Sequence, residues 1–320
     1  MRATARAQPN IALIKYWGKS DTRRNLPAVG SISITLADLS TTMCVEFDKA
    51  LPGDVLTVNE RDNVDMLPRV TRCLDTVAGE QRHAARVVST SDFPIAAGLA
   101  SSASAFAALV VAADAAVEGG RETAQLARLA GAASGSAARS LYGGFVELEN
   151  SGGDISLRCL RPAHEWPLRV VVAVTTVAQK PTSSTAAMEL SRKTSPFFAR
   201  WVEQQEHDLA AARTAIASRD FSLLASISEH NCLKMHSVMW ASRPPVVYWN
   251  SATLACMQAV RELQSRGVAV FFTIDAGPQL KAVCEAADEA AVRDSLGDID
   301  GVEDILVSGL GAGAARIADA

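Results

Sequence analysis

The feature that most limits what this chain can fold into is a run of small residues that leads directly into an apolar segment, SDFPIAAGLASSASAFAALVV at positions 91–111. From Ala103 onward the run contains Ala, Phe, Leu and Val and predicts a buried helix. The first N–H groups of a helix lack intrahelical partners and lie at the positive end of its dipole, so a loop of small residues at this point suits an anion, above all a phosphate. A Ser-rich cap on a buried Ala-rich helix is the alternative.

This loop differs from the two commonest nucleotide-binding motifs. No Gly-Lys-Ser/Thr sequence follows Gly98, so it is not a Walker loop, and its single glycine excludes the dinucleotide fingerprint. Gly98 allows a ligand to approach the backbone closely. Ser101, Ser102 and Ser104 add hydroxyl donors or oxygens that face a metal ion.

Two segments that carry cations favour a polyanionic ligand. In NIALIKYWGKSD, positions 10–21, Lys15 and Lys19 share one side of the chain whether it is helical or extended, so two ammonium groups converge. In SGSAARSLYGGF, positions 134–145, Arg139 follows Ser134 and Ser136, and a guanidinium beside two hydroxyls is suited to bidentate binding of a carboxylate or phosphate. Solvated surface side chains are the alternative for both segments.

The C-terminal part of the chain places one carboxylate at the end of a predicted core strand. VAVFFT, positions 268–273, runs into Ile274, Asp275 and a Gly-Pro turn. Active sites often hold a carboxylate at such a strand end, although a helix cap is the alternative.

The helix before this strand, 251–266, is predicted to bury one face made of Leu254, Met257, Val260 and Leu263. Residues 305–310 are predicted to form the last strand, and the glycines at 309, 311 and 313 a flexible end.

The composition excludes several classes of protein. The net charge is −4 and no long basic run occurs, which argues against nucleic acid or an acidic membrane surface as the main partner. The six cysteines form no C-x-x-C pair, the five histidines show no zinc spacing, and G-x-S-x-G is absent, which disfavours a zinc enzyme and a serine hydrolase. No window reaches the ~18 apolar residues of a membrane span. We therefore expect a soluble cytoplasmic protein with reduced cysteines.

The four features together favour a phosphoryl-transfer site. They are a phosphate-type loop, paired lysines, an Arg–Ser loop and an aspartate on a core strand. In such a site backbone N–H groups and cations hold the phosphates, Mg²⁺ bridges them, and a carboxylate orients or deprotonates the acceptor.

Seven motifs resemble the diphosphomevalonate decarboxylase family of the GHMP kinase superfamily, in that family's order and spacing. They are NIALIKYWGKSD, NLPAVGSISITL, SDFPIAAGLASSAS, SGSAARSLYGGFVE, SSTAAMEL, PPVVYWN and FFTIDAGP. The resemblance implies that ATP and Mg²⁺ are used to convert 5-diphosphomevalonate into isopentenyl diphosphate. The 3-hydroxyl would be phosphorylated, and phosphate and CO₂ would then be lost.

The resemblance also implies a role for each matching residue. Asp275 is the carboxylate at the 3-hydroxyl, Lys15 is the lysine beside it, and Arg139 contacts the substrate carboxylate. The other substrate-binding residues implied are Tyr16, Lys19, Ser134 and Ser136 around the diphosphate, and Ser183 and Ser184 near the transferring phosphoryl group. The ATP phosphate loop comprises Pro94, Ala97, Gly98, Leu99, Ala100, Ser101, Ser102 and Ser104. No residue is assigned as a direct metal ligand.

The fold that the resemblance implies is α+β, a GHMP-kinase-like fold of two domains with the active site in the cleft between them. The N-terminal domain, 1–167, would contain a βαβ unit with a left-handed crossover, against the usual rule. The C-terminal domain, 168–320, would be ferredoxin-like and supply Asp275. Dimers are common in this family, so a homodimer is one expected state.

Two alternative functions stay open. A mevalonate 3-kinase or a phosphomevalonate decarboxylase on the same fold would stop early or take another substrate, but Tyr16, Lys19 and the Arg–Ser loop favour the diphosphate. A non-catalytic sensor of nucleotides or isoprenoid phosphates would have no need of both Lys15 and Asp275.

The chain also departs from the family pattern, since Gly30 and Val29 stand where many relatives carry Asn and Ser, and Gln279 where Asn is frequent. We expect these departures to affect packing rather than chemistry.

Overall fold

The N-terminal half of the chain contains two β-sheets and the helices that cover them. The structure, a computed structural model, describes residues 1–93, 101–178 and 182–318. A short 3₁₀ helix, Ala137–Leu141, precedes the last hairpin of this half. In chain order the elements are β1 (Arg2–Ala7), β2 (Asn10–Ile14), β3 (Lys19–Asp21), β4 (Leu26–Pro27), β5 (Ser31–Thr35), β6 (Thr41–Phe47), β7 (Val55–Val58), β8 (Arg61–Asp62), α1 (Leu67–Ala78), β9 (Ala85–Ser91), α2 (Ser101–Ala116), α3 (Thr123–Ala133), β10 (Phe145–Ser151) and β11 (Asp154–Arg161).

The C-terminal half contributes a third sheet and most of the long helices. Its elements are β12 (Arg169–Val174), α4 (Ser184–Thr194), α5 (Phe198–Ser218), α6 (Phe221–Trp240), α7 (Ser251–Ser265), β13 (Val270–Ile274), β14 (Leu280–Cys284), α8 (Glu289–Gly297), β15 (Asp304–Gly309) and β16 (Ala315–Ile317). Within the described part of the chain, no helix is both long and apolar enough to cross a bilayer.

The sheets confirm the α+β class and the ferredoxin-like C-terminal half. The first two sheets have the strand orders β16-β1-β6-β9-β7-β8 and β11-β10-β5-β2. The third has the order β13-β14-β12-β15 with every neighbouring pair antiparallel, and β12-helices-β13-β14-α8-β15 is the connection of a ferredoxin-like fold. In the N-terminal half, β7 and β9 are parallel and α1 lies between them in the chain, which gives the βαβ unit. The left-handed sense of that crossover stays a prediction.

Helix α2 forms the centre of the N-terminal half. It is apolar all round, and the side chains from Ala103 to Ala113 are buried except Ala105. A helix without a polar face is stable only when it is surrounded by protein, and α2 packs against β1 and β6 on one side and α1 on the other. The start of α2 therefore has a fixed position above the first sheet.

The two halves share an apolar core directly behind the site described below. Ile11 and Ile34 of the second sheet pack in one cluster with Leu209 of α5 and Val283 of β14, and all four are buried. Because side chains from both halves interdigitate, the strands of one half are held in fixed register with those of the other.

Two predictions about the C-terminal part are wrong. The glycine-rich segment is not a free end and β15 is not the last strand, because β16 follows and pairs antiparallel with β1. A Cβ atom added at Gly311 would lie 2.3 Å from the carbonyl oxygen of Leu36, and one at Gly313 would lie 2.3 Å from that of Leu141. The glycines therefore allow the chain to pass close against the N-terminal half on its way to β16.

The predicted inner face of α7 is also partly wrong. Leu254 is 50% exposed, whereas Ala252, Cys256, Val260 and Leu263 are buried. The buried stripe begins two residues earlier than predicted and follows i, i+4, i+8, i+11, so that Leu254 falls on the outer side of the helix.

Candidate active site

A buried lysine and an aspartate form an ion pair where the two halves of the chain meet. Lys15 directly follows β2 and Asp275 directly follows β13, and the Lys15 Nζ atom lies 2.7 Å from the Asp275 Oδ1 atom. The Lys15 side chain is 1% exposed and that of Asp275 is 23% exposed, so the carboxylate is the member of the pair that solvent reaches. A hydrogen bond of 3.1 Å from the Thr273 hydroxyl to the Ala12 carbonyl oxygen fixes the two strands beside each other.

A second lysine, which sequence reasoning missed, reaches the other oxygen of the same carboxylate. The Lys281 Nζ atom lies 3.5 Å from Asp275 Oδ2, and its side chain is 1% exposed. Burial alone raises the pKa of Asp275, but the positive charges of Lys15 and Lys281 outweigh it and hold that pKa at about 2. Burial lowers the pKa of Lys281 against the opposing effect of Asp275. The available signal was a lysine in the otherwise apolar strand LKAVC.

Two buried amide side chains hold the backbone of Lys15. Its N–H donates to Asn231 Oδ1 at 2.7 Å, and its carbonyl oxygen accepts from Gln205 Nε2 at 2.7 Å. Asn231 in turn donates to Gln205 Oε1 at 3.0 Å and to Asp208, which also pairs with Lys234. Helices α5 and α6 thus fix the direction in which the Lys15 side chain leaves β2. No sequence motif marked these residues.

Arg139 is buried in the short 3₁₀ helix and is held by two neutral side chains. Its Nε atom donates to Asn10 Oδ1 at 3.0 Å and its Nη1 atom to Ser31 Oγ at 2.8 Å, and 3% of the residue is exposed. Burial lowers the pKa of Arg139 to about 10, with Asp275 and Tyr16 acting in the opposite direction. The guanidinium is therefore charged at neutral pH, and its neutral partners leave the charge available for an anion.

The Arg–Ser loop lies beside Tyr16. Ser134 is buried at the end of α3 and Ser136 is half-buried, and the Ser136 carbonyl oxygen accepts from Asn10 Nδ2 at 3.0 Å. A Cβ atom at Gly135 would lie 2.8 Å from the Tyr16 hydroxyl oxygen. That hydroxyl is buried and has no hydrogen-bond partner among the described residues. Burial raises the pKa of Tyr16 to about 12, so the group is a neutral donor whose hydrogen bond a ligand would complete.

The side chain of Lys19, on β3, reaches the first turn of α4, close to the predicted Ser183 and Ser184. Its Nζ atom donates to Thr185 Oγ1 at 3.5 Å, and Ser183 caps α4 by accepting from the Ala186 N–H at 3.2 Å. Ser184 is half-buried in the first turn of the helix. Burial, followed by the nearby positive charge of Arg69, lowers the pKa of Lys19.

Arg69 is a further cation that the sequence reading did not select. Its guanidinium carbon lies 4.7 Å from the centre of the Phe106 ring, and its Nη2 atom donates to the Ala133 carbonyl oxygen at 3.2 Å. The contact with Phe106 places it beside α2, and the contact with Ala133 places it beside the Arg–Ser loop. This side of the site therefore carries two cations, Lys19 and Arg69.

The structure describes only the last part of the predicted phosphate loop. Pro94, Ala97, Gly98, Leu99 and Ala100 lie outside the described residues. Ser101 and Ser102 are half-buried in the first turn of α2. The Ser104 hydroxyl is fully buried, lies 2.8 Å from Thr41 Oγ1 and donates to the Ser101 carbonyl oxygen at 3.2 Å, so it already bonds inside the fold.

Two sequence families together match most of the chain. Residues 7–157 match the diphosphomevalonate decarboxylase-like N-terminal domain, and residues 170–299 match the mevalonate 5-diphosphate decarboxylase C-terminal domain. The chain belongs to the diphosphomevalonate decarboxylase family. The resemblance expected from the seven motifs is thus confirmed.

Individual members of the diphosphomevalonate decarboxylase family are similar over nearly the full chain. The diphosphomevalonate decarboxylase of Candida albicans is 34% identical over 312 residues, which covers 91% of this chain and 86% of the relative. The crystal structure of mevalonate diphosphate decarboxylase from Staphylococcus aureus has a TM-score of 0.93 at 36% identity and covers 99% of this chain and 98% of that one. A structure of MDDEF in complex with MVAPP, AMPPCP and magnesium has a TM-score of 0.92 at 32% identity, with 99% of each chain covered.

The departures from the family pattern lie at packed positions. Gln279 is fully buried, and its amide accepts from the Thr175 N–H and donates to the Thr176 carbonyl oxygen, both at 2.6 Å. It therefore ties the turn after Asp275 to the end of β12. A Cβ atom at Gly30 would lie 2.8 Å from a methyl group of Leu209, so the residue on α5 fills the space that a larger side chain would need.

Proposed function

We propose that this chain catalyses the ATP-dependent decarboxylation of (R)-5-diphosphomevalonate to isopentenyl diphosphate, with release of ADP, phosphate and CO₂. The observation that carries the proposal is the buried Lys15–Asp275 pair, near the Arg139 guanidinium, in a member of the diphosphomevalonate decarboxylase family. The relative MDDEF binds MVAPP, AMPPCP and magnesium, which supports ATP and Mg²⁺ as the cofactors here.

Asp275 acts on the 3-hydroxyl group in the first step. The γ-phosphoryl group of ATP passes to the 3-oxygen, so that the bond to ADP breaks, a bond to the 3-oxygen forms, and the hydroxyl proton passes to the Asp275 carboxylate. Asp275 accepts the hydrogen bond of this hydroxyl and aligns it. With a pKa of about 2 it is a weak base, but in a loose transition state the proton leaves late, after the oxygen has become acidic. Lys15 holds Asp275 and stabilises the negative charge of the transferring group.

Arg139 acts in the second step by holding the substrate carboxylate. A tertiary alcohol is a poor leaving group, whereas its phosphate ester leaves readily. When the C3–O bond breaks, positive charge develops at C3. The electron pair of the bond to the carboxylate carbon then forms the C2–C3 double bond, and CO₂ leaves. Asn10 and Ser31 hold the guanidinium in place, so the carboxylate is fixed and kept from protonation.

The remaining predicted residues bind the diphosphate of the substrate and the phosphates of ATP. Tyr16, Lys19, Ser134 and Ser136 are assigned to the diphosphate of the substrate, and the unpartnered Tyr16 hydroxyl supports this. Ser183 and Ser184 stand at the N-terminus of α4, where backbone N–H groups stabilise a transferring phosphoryl group. We assign Pro94, Ala97, Gly98, Leu99, Ala100, Ser101, Ser102 and Ser104 to the phosphates of ATP. The Ser104 hydroxyl, 2.8 Å from Thr41 Oγ1, also ties the first turn of α2 to β6.

The donors that this chain offers fit Mg²⁺ that is held mainly by ATP. Among the described residues, no group of three or more His, Cys, Asp or Glu is arranged to hold a metal ion. The hydroxyls of Ser101 and Ser102 are hard oxygen donors, which Mg²⁺ accepts beside phosphate oxygens and water. When bound, Mg²⁺ neutralises phosphate charge.

The test is the release of ADP and CO₂ with ATP, Mg²⁺ and three substrates: mevalonate, its 5-phosphate and its 5-diphosphate. We expect ADP and CO₂ in equal amounts from the 5-diphosphate alone. ADP without CO₂ would identify a 3-kinase, and CO₂ from the 5-phosphate would identify a phosphomevalonate decarboxylase. No ADP from any of the three would favour a non-catalytic sensor.

The proposal includes the organisation of the enzyme. We divide the chain into an N-terminal domain, 1–167, and a C-terminal domain, 168–320, with β16 returning to the first sheet. We also propose a homodimer and a cytoplasmic location. Sedimentation at several protein concentrations tests the homodimer, and fractionation of the source cells tests the cytoplasmic location.

A further inference from the structure

The carboxylate of Asp275 lies between two buried ammonium groups. Lys15 Nζ is 2.7 Å from Oδ1 and Lys281 Nζ is 3.5 Å from Oδ2, and each lysine side chain is 1% exposed. The two lysines come from different halves of the molecule, Lys15 from the end of β2 and Lys281 from the second position of β14. One carboxylate therefore receives a cation on each of its oxygens.

Lys281 occupies a position that otherwise suits an apolar residue. The other four residues of β14 are fully buried and apolar, and Lys281 pairs across the sheet with the buried Thr273 on β13. An ammonium is costly to bury there unless a nearby carboxylate offsets the loss of its hydration. Because Asp275 already has Lys15 as a close partner, neutralising Asp275 does not require Lys281.

We propose that Lys281 is a positioning residue for the reaction, which holds Oδ2 of Asp275 and so fixes the plane of the carboxylate that aligns the 3-hydroxyl. The inference rests on the proposed function, because it takes Asp275 as the group at that hydroxyl. The carboxylate is rigid and its two oxygens rotate together about the Cβ–Cγ bond, so cations on both oxygens restrict that rotation more than Lys15 on one oxygen alone.

The other groups around Asp275 do not provide this restraint. Arg139 affects Asp275 through its charge, but its hydrogen bonds in the described structure go to Asn10 and Ser31. On α6, Cys232 bonds to the backbone of Ile274, and the neutral ring of His236 lies 3.2 Å from the Ile274 carbonyl oxygen. These contacts fix the backbone next to Asp275. Lys15 and Lys281 are the cations that pair directly with its carboxylate in the described structure.

A double-mutant cycle on kcat tests the role of Lys281. Lys281→Met removes the charge and keeps most of the length of the side chain. We expect kcat to fall by about 10- to 100-fold, since displacement of a reacting group by ~1 Å costs up to ~10², while KM for ATP changes by less than about twofold. Because Lys281 acts through Asp275, the same change should have little further effect on kcat in an Asp275→Asn background. Lys281→Arg should restore a large part of the lost turnover.

The controls separate this role from a structural one. Lys49→Met removes a positive charge from an exposed turn and should leave kcat unchanged. Lys281→Met should still unfold above the assay temperature, followed by circular dichroism, so that a lower kcat reports on the site and not on loss of the fold. An unchanged kcat in Lys281→Met, or an equal loss with and without the Asp275 carboxylate, would overturn the positioning role and leave the proposed function intact. If the protein without any substitution showed no turnover on any of the three substrates, both the positioning role and the proposed function would be overturned.

Discussion

The Nζ atom of Lys15 and the Oδ1 atom of Asp275 are 2.7 Å apart, although 260 positions separate the two residues in the chain. Each follows a fully buried strand, and those strands belong to different sheets. The pair therefore forms only when both halves of the molecule have folded and packed against each other. Activity that depends on it reports on the complete fold.

Replacing Asp275 by Asn should abolish most of the turnover while ATP still binds. Because Asn keeps the shape but not the charge, we expect kcat to fall by ~10³ or more, the size that accompanies loss of a positioned acid–base or electrostatic group. ATP affinity should stay within a few fold, measured by nucleotide titration. Asp294→Asn, at a side chain that is 67% exposed, is the matched control. Near-normal turnover in Asp275→Asn would refute the assignment.

Replacing Arg139 by Lys should weaken the use of the substrate. Lysine keeps a positive charge but cannot bond to both Asn10 and Ser31 in the same geometry and still face a carboxylate. Loss of a charge-assisted hydrogen bond of ~1.5–3 kcal/mol lowers kcat/KM by roughly 10- to 100-fold. Steady-state kinetics with the 5-diphosphate checks this, with Arg200→Lys, 71% exposed, as the control. Equal kcat/KM in both variants would show that Arg139 does not hold the substrate carboxylate.

Replacing Asn231 by Ala should reduce both stability and turnover. The change leaves the buried N–H of Lys15 without its partner at 2.7 Å, which costs about 1–3 kcal/mol. Denaturant unfolding measures this loss, and kcat should fall because the Lys15 side chain loses its fixed direction. Ser228→Ala on the same helix removes a buried hydroxyl that has no partner among the described residues, so it should leave both quantities unchanged. Similar losses in the two variants would contradict a specific role for Asn231.

His236 should make the protein less stable as the pH falls. Burial, foremost, lowers the pKa of His236 to about 3, whereas an exposed histidine has a value of about 6.5. Between these values the unfolded chain binds a proton that the folded chain does not, so the free energy of unfolding decreases with falling pH by at most about 1.4 kcal/mol per pH unit. Denaturant unfolding from pH 7 to pH 4 should show a smaller slope for His236→Gln. The exposed His164→Gln is the control, and an identical slope in all three proteins would contradict the prediction.

Local sequence patterns predicted the elements well because their cues are local. The alternation in Thr41–Phe47 and the apolar run that follows Arg169 each correspond to an observed strand. Lys15 was selected because it shares one side of the chain with Lys19, and Asp275 because it ends a predicted core strand. The inner face of α7 was misassigned because Leu254 fits a helical period as well as the true stripe does, and only packing against neighbouring elements distinguishes the two.

The residues that sequence reasoning missed lie inside regular elements. Asn231 on α6 and Lys281 on β14 fall within helix and strand patterns, where a polar residue is read as solvated. The partner of Asn231 is 216 positions away, so that contact has no local signature. Lys281 pairs with Asp275 across the β13–β14 hairpin, and its only sequence signal was a lysine within an apolar strand. The glycine-rich end was misread for the same reason, because the close approach of its backbone to Leu36 is a tertiary contact.

The pairing of β16 with β1 also bears on how the protein is made. During synthesis β1 leaves the ribosome early, whereas β16 emerges only after the whole C-terminal half. Until then one edge of β1 has free backbone N–H and C=O groups, which are a template for pairing with other chains. The first sheet of a nascent chain is therefore incomplete throughout translation. This exposed edge is a place where chaperones or misassembly are expected to act.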